Sequence, residues 1–294
     1  MIITTAPKTG TTFVQFMAHL IRSGGFLNFT SLYDVAPWIL LNPLYAGDAS
    51  KVQQEWHPRV FKNHQPLAEF KGGRHIVLIR DPVQVLESWV AFLKERRHLF
   101  LRHNAYLHNL ATCAGLPLWA IDWWLGDTWK SAEELQRSSL GWRRDMGHGV
   151  SLFEYYAEFW HARHDPDVLL LCYEDLVSDR ARWVPIMARF MGVDISPEFV
   201  LQVVHMTSKE FMRKHKEKFD SSAYASLINE KGLSVQQWRS SDKVSVVKHE
   251  RLPLASVELL QQEWTARVTP STGLESYAAM RAAWRSEMSA REGL

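Results

Sequence analysis

The first thirteen residues constrain the fold more than any other stretch of the chain. Met1 to Thr5 predict a short β-strand, Ala6 to Thr12 a tight turn, and Phe13 the start of an amphipathic helix, because Phe13, Phe16, Met17, Leu20 and Ile21 recur at helical spacing. A strand, a turn and a helix in that order aim free backbone N–H groups and the positive end of a helix at one point. An anion is the obvious occupant. Lys8 adds a positive charge, Thr9, Thr11 and Thr12 add hydroxyl donors, and Gly10 permits a dihedral that a side chain forbids. The stretch is not a Walker loop, since Lys8 precedes the glycine. The alternative reading is a capped helix carrying a solvated lysine.

Further along, strands and helices alternate. Gly24 and Gly25 offer the first helix a stop near Ser23. Residues 26–56 read as a long, partly helical connection rich in aromatic residues, either a pocket wall or a wrapped surface loop. Arg59 to His64 predict a second strand, which Pro66 prevents from continuing. Lys62 and His64 are two apart, so on an extended chain they point the same way. They are a candidate acid–base pair at a strand end, or else two unrelated polar residues. His75–Ile79 is a continuous, β-branched buried strand that ends at Arg80, with Asp81 as cap and Pro82 as first residue of the next helix. Arg80 then sits at the C-terminal edge of a parallel sheet, where open α/β folds bind ligands. Ser88 follows two turns into that helix. Here the alternatives are a salt bridge for Arg80 and simple packing for Ser88 near Trp89.

Ser151 to His164 predict a helix with Leu152, Tyr155, Tyr156, Phe159 and Trp160 as its packed stripe. Val168 to Cys172 predict another buried strand, followed by Tyr173-Glu174-Asp175 and a helix that starts at Ser178 or Asp179 and runs to Gly192. Beyond Ser196 the chain reads as helix and loop, with two helical patterns near 254–268 and 275–290 and a lid candidate, or long surface loop, at 220–251. The alternation predicts a three-layer α/β fold, a central, mainly parallel sheet flanked by helices, in one domain over residues 1–294.

Composition narrows the function classes. A net charge of +2 over 294 residues gives no electrostatic reason to expect nucleic acid as a partner. His98, His103 and His108 are spaced by five, which does not match a helical metal pair, so no metal site is expected. The tryptophans between 119 and 142 read as core and substrate wall. Cys113 and Cys172 cannot build a disulfide framework, and Cys172 ends an apolar run as a small core residue. No signal segment and no run of 18 apolar residues is present, so a soluble, cytoplasmic protein is expected. The first strand begins at Met1, which leaves open whether a segment once preceded it.

These stretches together carry a family likeness. Pro7-Lys8-Thr9-Gly10-Thr11-Thr12-Phe13 resembles the 5′-phosphosulfate loop of cytosolic-type sulfotransferases, with Thr9 in place of the usual serine and Phe13 in place of tryptophan. Arg80 followed by Ser88 is similar to the family's 3′-phosphate site. Phe61-Lys62-Asn63-His64-Gln65-Pro66 resembles the strand end that carries the catalytic histidine, with Asn63 where threonine is usual. Tyr173-Glu174-Asp175 and Thr207-Ser208 fall in family order, and Lys231-Gly232 with Trp238 looks like a worn C-terminal cofactor motif. The likeness spans about residues 1–250.

The resemblance implies a P-loop NTPase-like sulfotransferase fold and 3′-phosphoadenosine 5′-phosphosulfate as cofactor, leaving as 3′-phosphoadenosine 5′-phosphate (PAP). It implies sulfuryl transfer to a hydroxyl, or less often an amine, of a small, partly apolar acceptor. On this reading His64 removes the acceptor proton, as an imidazole can near neutral pH. Lys8 and Lys62 stabilise the charge that develops on the departing phosphate. Thr9, Gly10, Thr11 and Thr12 cradle the 5′ end, and Phe13 stacks on adenine. Arg80 and Ser88 hold the 3′-phosphate. Thr207 reaches the adenine or ribose side, and Tyr173, Lys231 and Gly232 complete the cofactor contacts. Glu230 stands where an arginine is usual, and Lys209 replaces an aromatic beside the adenine. These departures predict weaker cofactor binding, an altered lid or an altered register at 229–232. A homodimer is a candidate assembly, although the stretch from Trp238 to Glu250 fits the family's dimer motif poorly. The competing functions are an ATP- and magnesium-dependent phosphotransferase and a catalytically silent nucleotide-binding protein.

Overall fold

Four short parallel strands among the described residues set the frame of the fold. The computed structural model describes residues 1–39, 53–69, 72–89, 91, 151–219 and 251–292. Strands β1 (Ile2–Thr5), β2 (Phe61–Asn63), β3 (His75–Ile79) and β4 (Val168–Cys172) lie in the order β2-β1-β3-β4. Ile3 pairs with Lys62 on one side and Ile76 on the other, and Ile79 pairs with Cys172. Nearly every strand residue is buried, as expected of a parallel sheet covered on both faces. The register brings Thr5, Asn63, Ile79 and Cys172 to one edge, and the loops that follow them share that edge.

The second strand is shorter than the predicted Arg59–His64. His64 leaves the ladder because its ring and its carbonyl take other partners, described below. On the outer side of β2, Lys62 N–H donates to the Pro37 carbonyl at 2.8 Å and Ile39 N–H to the Lys62 carbonyl at 3.1 Å. This strip, with a single bridge at Trp38, covers the edge strand.

Helix α1 (Thr11–Ser23) starts two residues before the predicted Phe13 and ends at Gly24, whose φ of 63° closes the last turn onto the Leu20 carbonyl. It is buried nearly all round rather than along one stripe. Gln15, His19 and Arg22 are buried with the apolar face, because the connection through α2 (Leu32–Val35) and residues 53–60 wraps the other side. Arg22 is tolerated there because its guanidinium donates to the Pro58 carbonyl at 3.1 Å and to the Val35 carbonyl at 2.5 Å. Residues 40–52 of that connection lie outside the described residues.

Helix α3 (82–89) starts as predicted, with Val83 N–H donating to the Asp81 carboxylate at 2.8 Å. Helix α4 (Leu152–Ala162) opens on a capping box formed by Ser151 and Glu154. Helix α5 (Tyr173–Ser178) follows β4 without a loop, and Asp179 caps α6 (Arg180–Met191). Helices α7 (Pro197–Met206) and α8 (Lys209–Lys214) are capped by Ser196 and Ser208. The C-terminal patterns form α9 (Leu254–Arg267), the short α10 (Thr269–Thr272) and α11 (Tyr277–Glu292). Helices α6 and α7 pack with α1, while α9 and α10 pack with α4, so helices flank the sheet. Cys172 is a buried free thiol whose pKa burial pushes well up. Among the described residues no helix is long and apolar enough to cross a membrane. The lid candidate at 220–250, the tryptophans between 119 and 142 and the three histidines from 98 to 108 lie outside the described residues.

Candidate active site

The loop after β1 is shaped by two residues with left-handed backbone. Lys8 has φ +66° and Gly10 has φ +111°. Gly10 occupies the position before α1, and its carbonyl accepts from Phe13 N–H at 3.0 Å and Val14 N–H at 3.2 Å. No side chain caps α1, and no acidic residue lies in its first turn. The positive end of the helix macrodipole is therefore not neutralised from within its own turn. The Thr9 hydroxyl donates to the Ala6 carbonyl at 2.6 Å, and the hydroxyls of Thr5 and Thr11 lie 2.6 Å apart. Both pairs are buried and hold the turn, while Thr12 and Phe13 stay partly exposed.

Gly10 is required by crowding as well as by its dihedral. A Cβ placed there would stand 2.6 Å from Cδ2 of Tyr173 and 3.2 Å from Cδ2 of Leu78. Gly10→Ala should therefore destabilise the protein by about 2–4 kcal/mol, the sum of a left-handed dihedral and an overpacked contact. Chemical denaturation measures this, and a loss under about 1 kcal/mol would mean that Tyr173 moves aside freely.

On the β2 side, Lys62 and His64 both face Trp38. The Lys62 ammonium lies 4.0 Å from the Trp38 ring centroid and 3.3 Å from the Tyr33 hydroxyl. His64 meets Trp38 edge-on at 4.9 Å. Lys62 is buried, and burial, reinforced by the nearby Lys8 charge, pushes its pKa down to about 7. The His64 Nδ1 lies 2.7 Å from the Thr5 carbonyl. A carbonyl oxygen only accepts, so Nδ1 carries the proton and Nε2 of the neutral ring holds the lone pair. The His64 carbonyl accepts from the Tyr155 hydroxyl.

On the β3 side, Arg80 bends back over the loop. Its Nη1 donates to the Lys8 carbonyl at 3.0 Å and its Nη2 to Gln84 at 3.2 Å. The guanidinium lies 4.4 Å from the Tyr173 ring centroid, and Phe13 meets the same ring at 6.3 Å. Nε of Arg80 is buried and has no hydrogen-bond partner among the described residues. Neither Arg80 nor Lys62 forms an ion pair among the described residues. The peptide after Arg80 is held on both sides. The Tyr156 hydroxyl donates to the Arg80 carbonyl, and Asp81 N–H donates to Glu174 at 3.0 Å, whose other oxygen accepts from Tyr277.

The structure thus brings Lys8, Gly10, Phe13, Arg80 and Tyr173 together, and sets Lys62 and His64 beside them across Thr5. Ser88 sits two turns along α3, partly exposed. Thr207 is buried at the end of α7, where its hydroxyl donates to the Val203 carbonyl at 2.7 Å. Lys209 begins α8 beyond it. Lys231, Gly232 and Glu230 lie outside the described residues. Sequence reasoning missed Tyr33 and Trp38, which flank Lys62, because residues 26–56 carry no periodicity. It read Tyr155 and Tyr156 as packing alone, since nothing in a helical stripe tells which hydroxyl will meet a strand-end carbonyl.

Comparison with known proteins places this geometry. The family model described as a sulfotransferase domain matches residues 1–262. The chain is 25% identical to Sulfotransferase 4A1 of Mus musculus over 197 residues, 65% of this chain and 59% of that protein. It therefore spans 59% of the length of that relative. It is 24% identical to Sulfotransferase 1A1 of Rattus norvegicus over 225 residues, 73% of this chain and 67% of that one. Among solved structures, retinol dehydratase in complex with androsterone and inactive cofactor PAP superposes with a TM-score of 0.57 at 16% identity, covering 93% of this chain and 81% of that one. Mouse sulfotransferase SULT7A1 complexed with PAP gives a TM-score of 0.56 at 13% identity, covering 97% and 88%. At these identities the structural likeness bears on the fold.

Proposed function

The chain belongs to the sulfotransferase domain family, and from that membership we propose that it transfers a sulfuryl group from 3′-phosphoadenosine 5′-phosphosulfate to a hydroxyl, or less often an amine, of a small, partly apolar acceptor. The observation that carries this reading is the meeting, at one sheet edge, of a lysine pair and a histidine whose hydrogen bond leaves Nε2 as base. The residues present fit the donor. A helix N-terminus with no side-chain cap, the positive charge of Lys8 set near that of Lys62, and a buried Arg80 Nε without a hydrogen-bond partner among the described residues all favour an anion at this edge.

When bound, the donor supplies an activated sulfuryl group on a phosphate that can leave. Lys8 and the amides at the start of α1 bind the 5′ end, with Thr9, Gly10 and Thr11 holding the turn and Thr12 adding a hydroxyl. Arg80 holds the 3′-phosphate through its unpaired Nε, with Ser88 contributing a neutral donor. Phe13 and Tyr173 form the aromatic side of the nucleotide site; Thr207, and Lys231 and Gly232 outside the described residues, are assigned further cofactor contacts from the family resemblance alone. His64 takes the acceptor proton at Nε2 while the Thr5 carbonyl holds Nδ1–H, which fixes the tautomer and the ring orientation. Lys62, once protonated, places its charge where negative charge grows on the leaving oxygen. Trp38 and Tyr33 keep water from that ammonium, which strengthens its field. We assign the protein to the cytoplasm, in keeping with the buried free thiol of Cys172.

Two measurements test this reading. Titration calorimetry should give tighter binding of PAP than of ATP with magnesium. Incubation with sulfur-labelled donor and a panel of alcohols, phenols and amines should label a product. Preference for ATP would support the phosphotransferase, and PAP binding with no product would support a silent nucleotide-binding protein. The calorimetry carries a further expectation. A bound phosphate raises the pKa of Lys62 from about 7, so binding near pH 8 should take up about one proton and weaken as pH rises. The enthalpy should then vary with the ionisation enthalpy of the buffer, and Lys62→Met should abolish that dependence.

A further inference from the structure

Two consecutive residues of α4 reach the two halves of the site. The Tyr155 hydroxyl donates to the carbonyl of His64, and the Tyr156 hydroxyl to the carbonyl of Arg80. These carbonyls stand just past the ends of β2 and β3, which lie on opposite sides of β1. The geometry points to Tyr155 and Tyr156 as a pair of positioning residues, one setting the peptide that carries the base and the other the peptide that carries the phosphate-binding arginine. This assignment rests on the functional reading of His64 and Arg80 given above.

Several observations make the pair more than core packing. Both tyrosines are fully buried, and a buried hydroxyl could equally have been phenylalanine at no loss of packing. Their hydroxyls go to the main chain of the two residues that carry the site rather than to each other or to their own helix. Tyr156 remains a donor throughout the working range, because burial pushes its pKa well up. Helix α4 is itself anchored to the same segment, since Glu158 accepts from Leu67 N–H at 3.1 Å and Ala68 N–H at 2.9 Å, three and four residues past His64. One helix therefore contacts both strand ends directly, whereas β2 and β3 are related to each other only through β1 between them.

The test removes each hydroxyl without changing shape. Three readouts are taken on the full chain: PAP affinity by calorimetry, the ring-nitrogen NMR shifts of His64, and the Nε–H resonance of Arg80. Tyr156→Phe should weaken PAP binding by about threefold to tenfold and move the Arg80 resonance, with the His64 shifts unchanged. Tyr155→Phe should move the His64 shifts toward a mixture of tautomers, with PAP affinity unchanged. Trp264→Phe is the control, since it removes a buried donor to the Leu274 carbonyl in the same aromatic cluster and touches neither strand end. It should alter none of the three. If both tyrosine variants move the same readouts, or move none, or if Trp264→Phe reproduces them, the pair is structural and the assignment is overturned. A wild-type protein that does not bind PAP would overturn the functional reading instead, and the two NMR signals would still decide the role of each hydroxyl.

Discussion

His64→Ala should lower the rate of sulfuryl transfer by about 100-fold or more and leave PAP affinity within about threefold. The expectation rests on the separation of roles in the structure. His64 is held by the Thr5 carbonyl, Trp38 and the Tyr155 hydroxyl, whereas the phosphates are assigned to Lys8, the start of α1 and Arg80. Removing the imidazole takes away the proton acceptor and leaves the anion-binding groups in place. Single-turnover rates with saturating donor isolate this step. A fall in rate of less than about fivefold would return His64 to a structural role, as the residue that ties the end of β2 to β1. A matching loss of PAP affinity would show that the Thr5 carbonyl needs its partner to hold the loop.

Lys62→Met should move activity and stability in opposite directions. Transfer should fall by about 100- to 1,000-fold, the usual effect of removing one preorganised charge from a developing oxyanion. The empty protein should become more stable at pH 6, because methionine fills the slot between Trp38 and Tyr33 without a buried ammonium. The sign follows from linkage. In the unfolded chain the lysine holds its proton to about 10.5, while in the folded protein it gives it up near 7. Between those values the unfolded state binds more protons, so wild-type stability rises with pH across that window, and below it the penalty is felt in full. Melting temperatures from pH 6 to 9 should therefore climb in the wild type relative to Lys62→Met. Parallel curves would mean that Lys62 keeps its proton throughout, through water or a partner that relieves its burial.

Much of the frame was legible because it depends on local chemistry. The strand at His75–Ile79, the Asp81 cap and the Gly24 stop each announce themselves within a few residues, and each formed where expected. Lys8, Lys62, His64 and Arg80 could be grouped from the sequence because each stands near the end of a strand or in the loop after it, and parallel strands deliver those loops to one edge. What sequence could not tell was decided by distant partners. Helix α1 is polar on the side that reads as solvent-facing, yet Arg22 is buried because carbonyls from Val35 and Pro58 converge on it. The second strand reads three residues too long, and at one of them, His64, the competing partners come from residues 59 and 91 positions away.

The strand order has a consequence for how such a protein can change. With β1 between them, β2, which leads to the proposed base His64, and β3, which leads to the proposed phosphate ligand Arg80, are neighbours of β1 but not of each other. On that reading, substitutions in the Trp38 strip outside β2 would reshape the acceptor side while the loop after β1 and Arg80 after β3 kept their hold on the donor. A chain with this strand order would then be able to take a new acceptor without rebuilding its anion cradle.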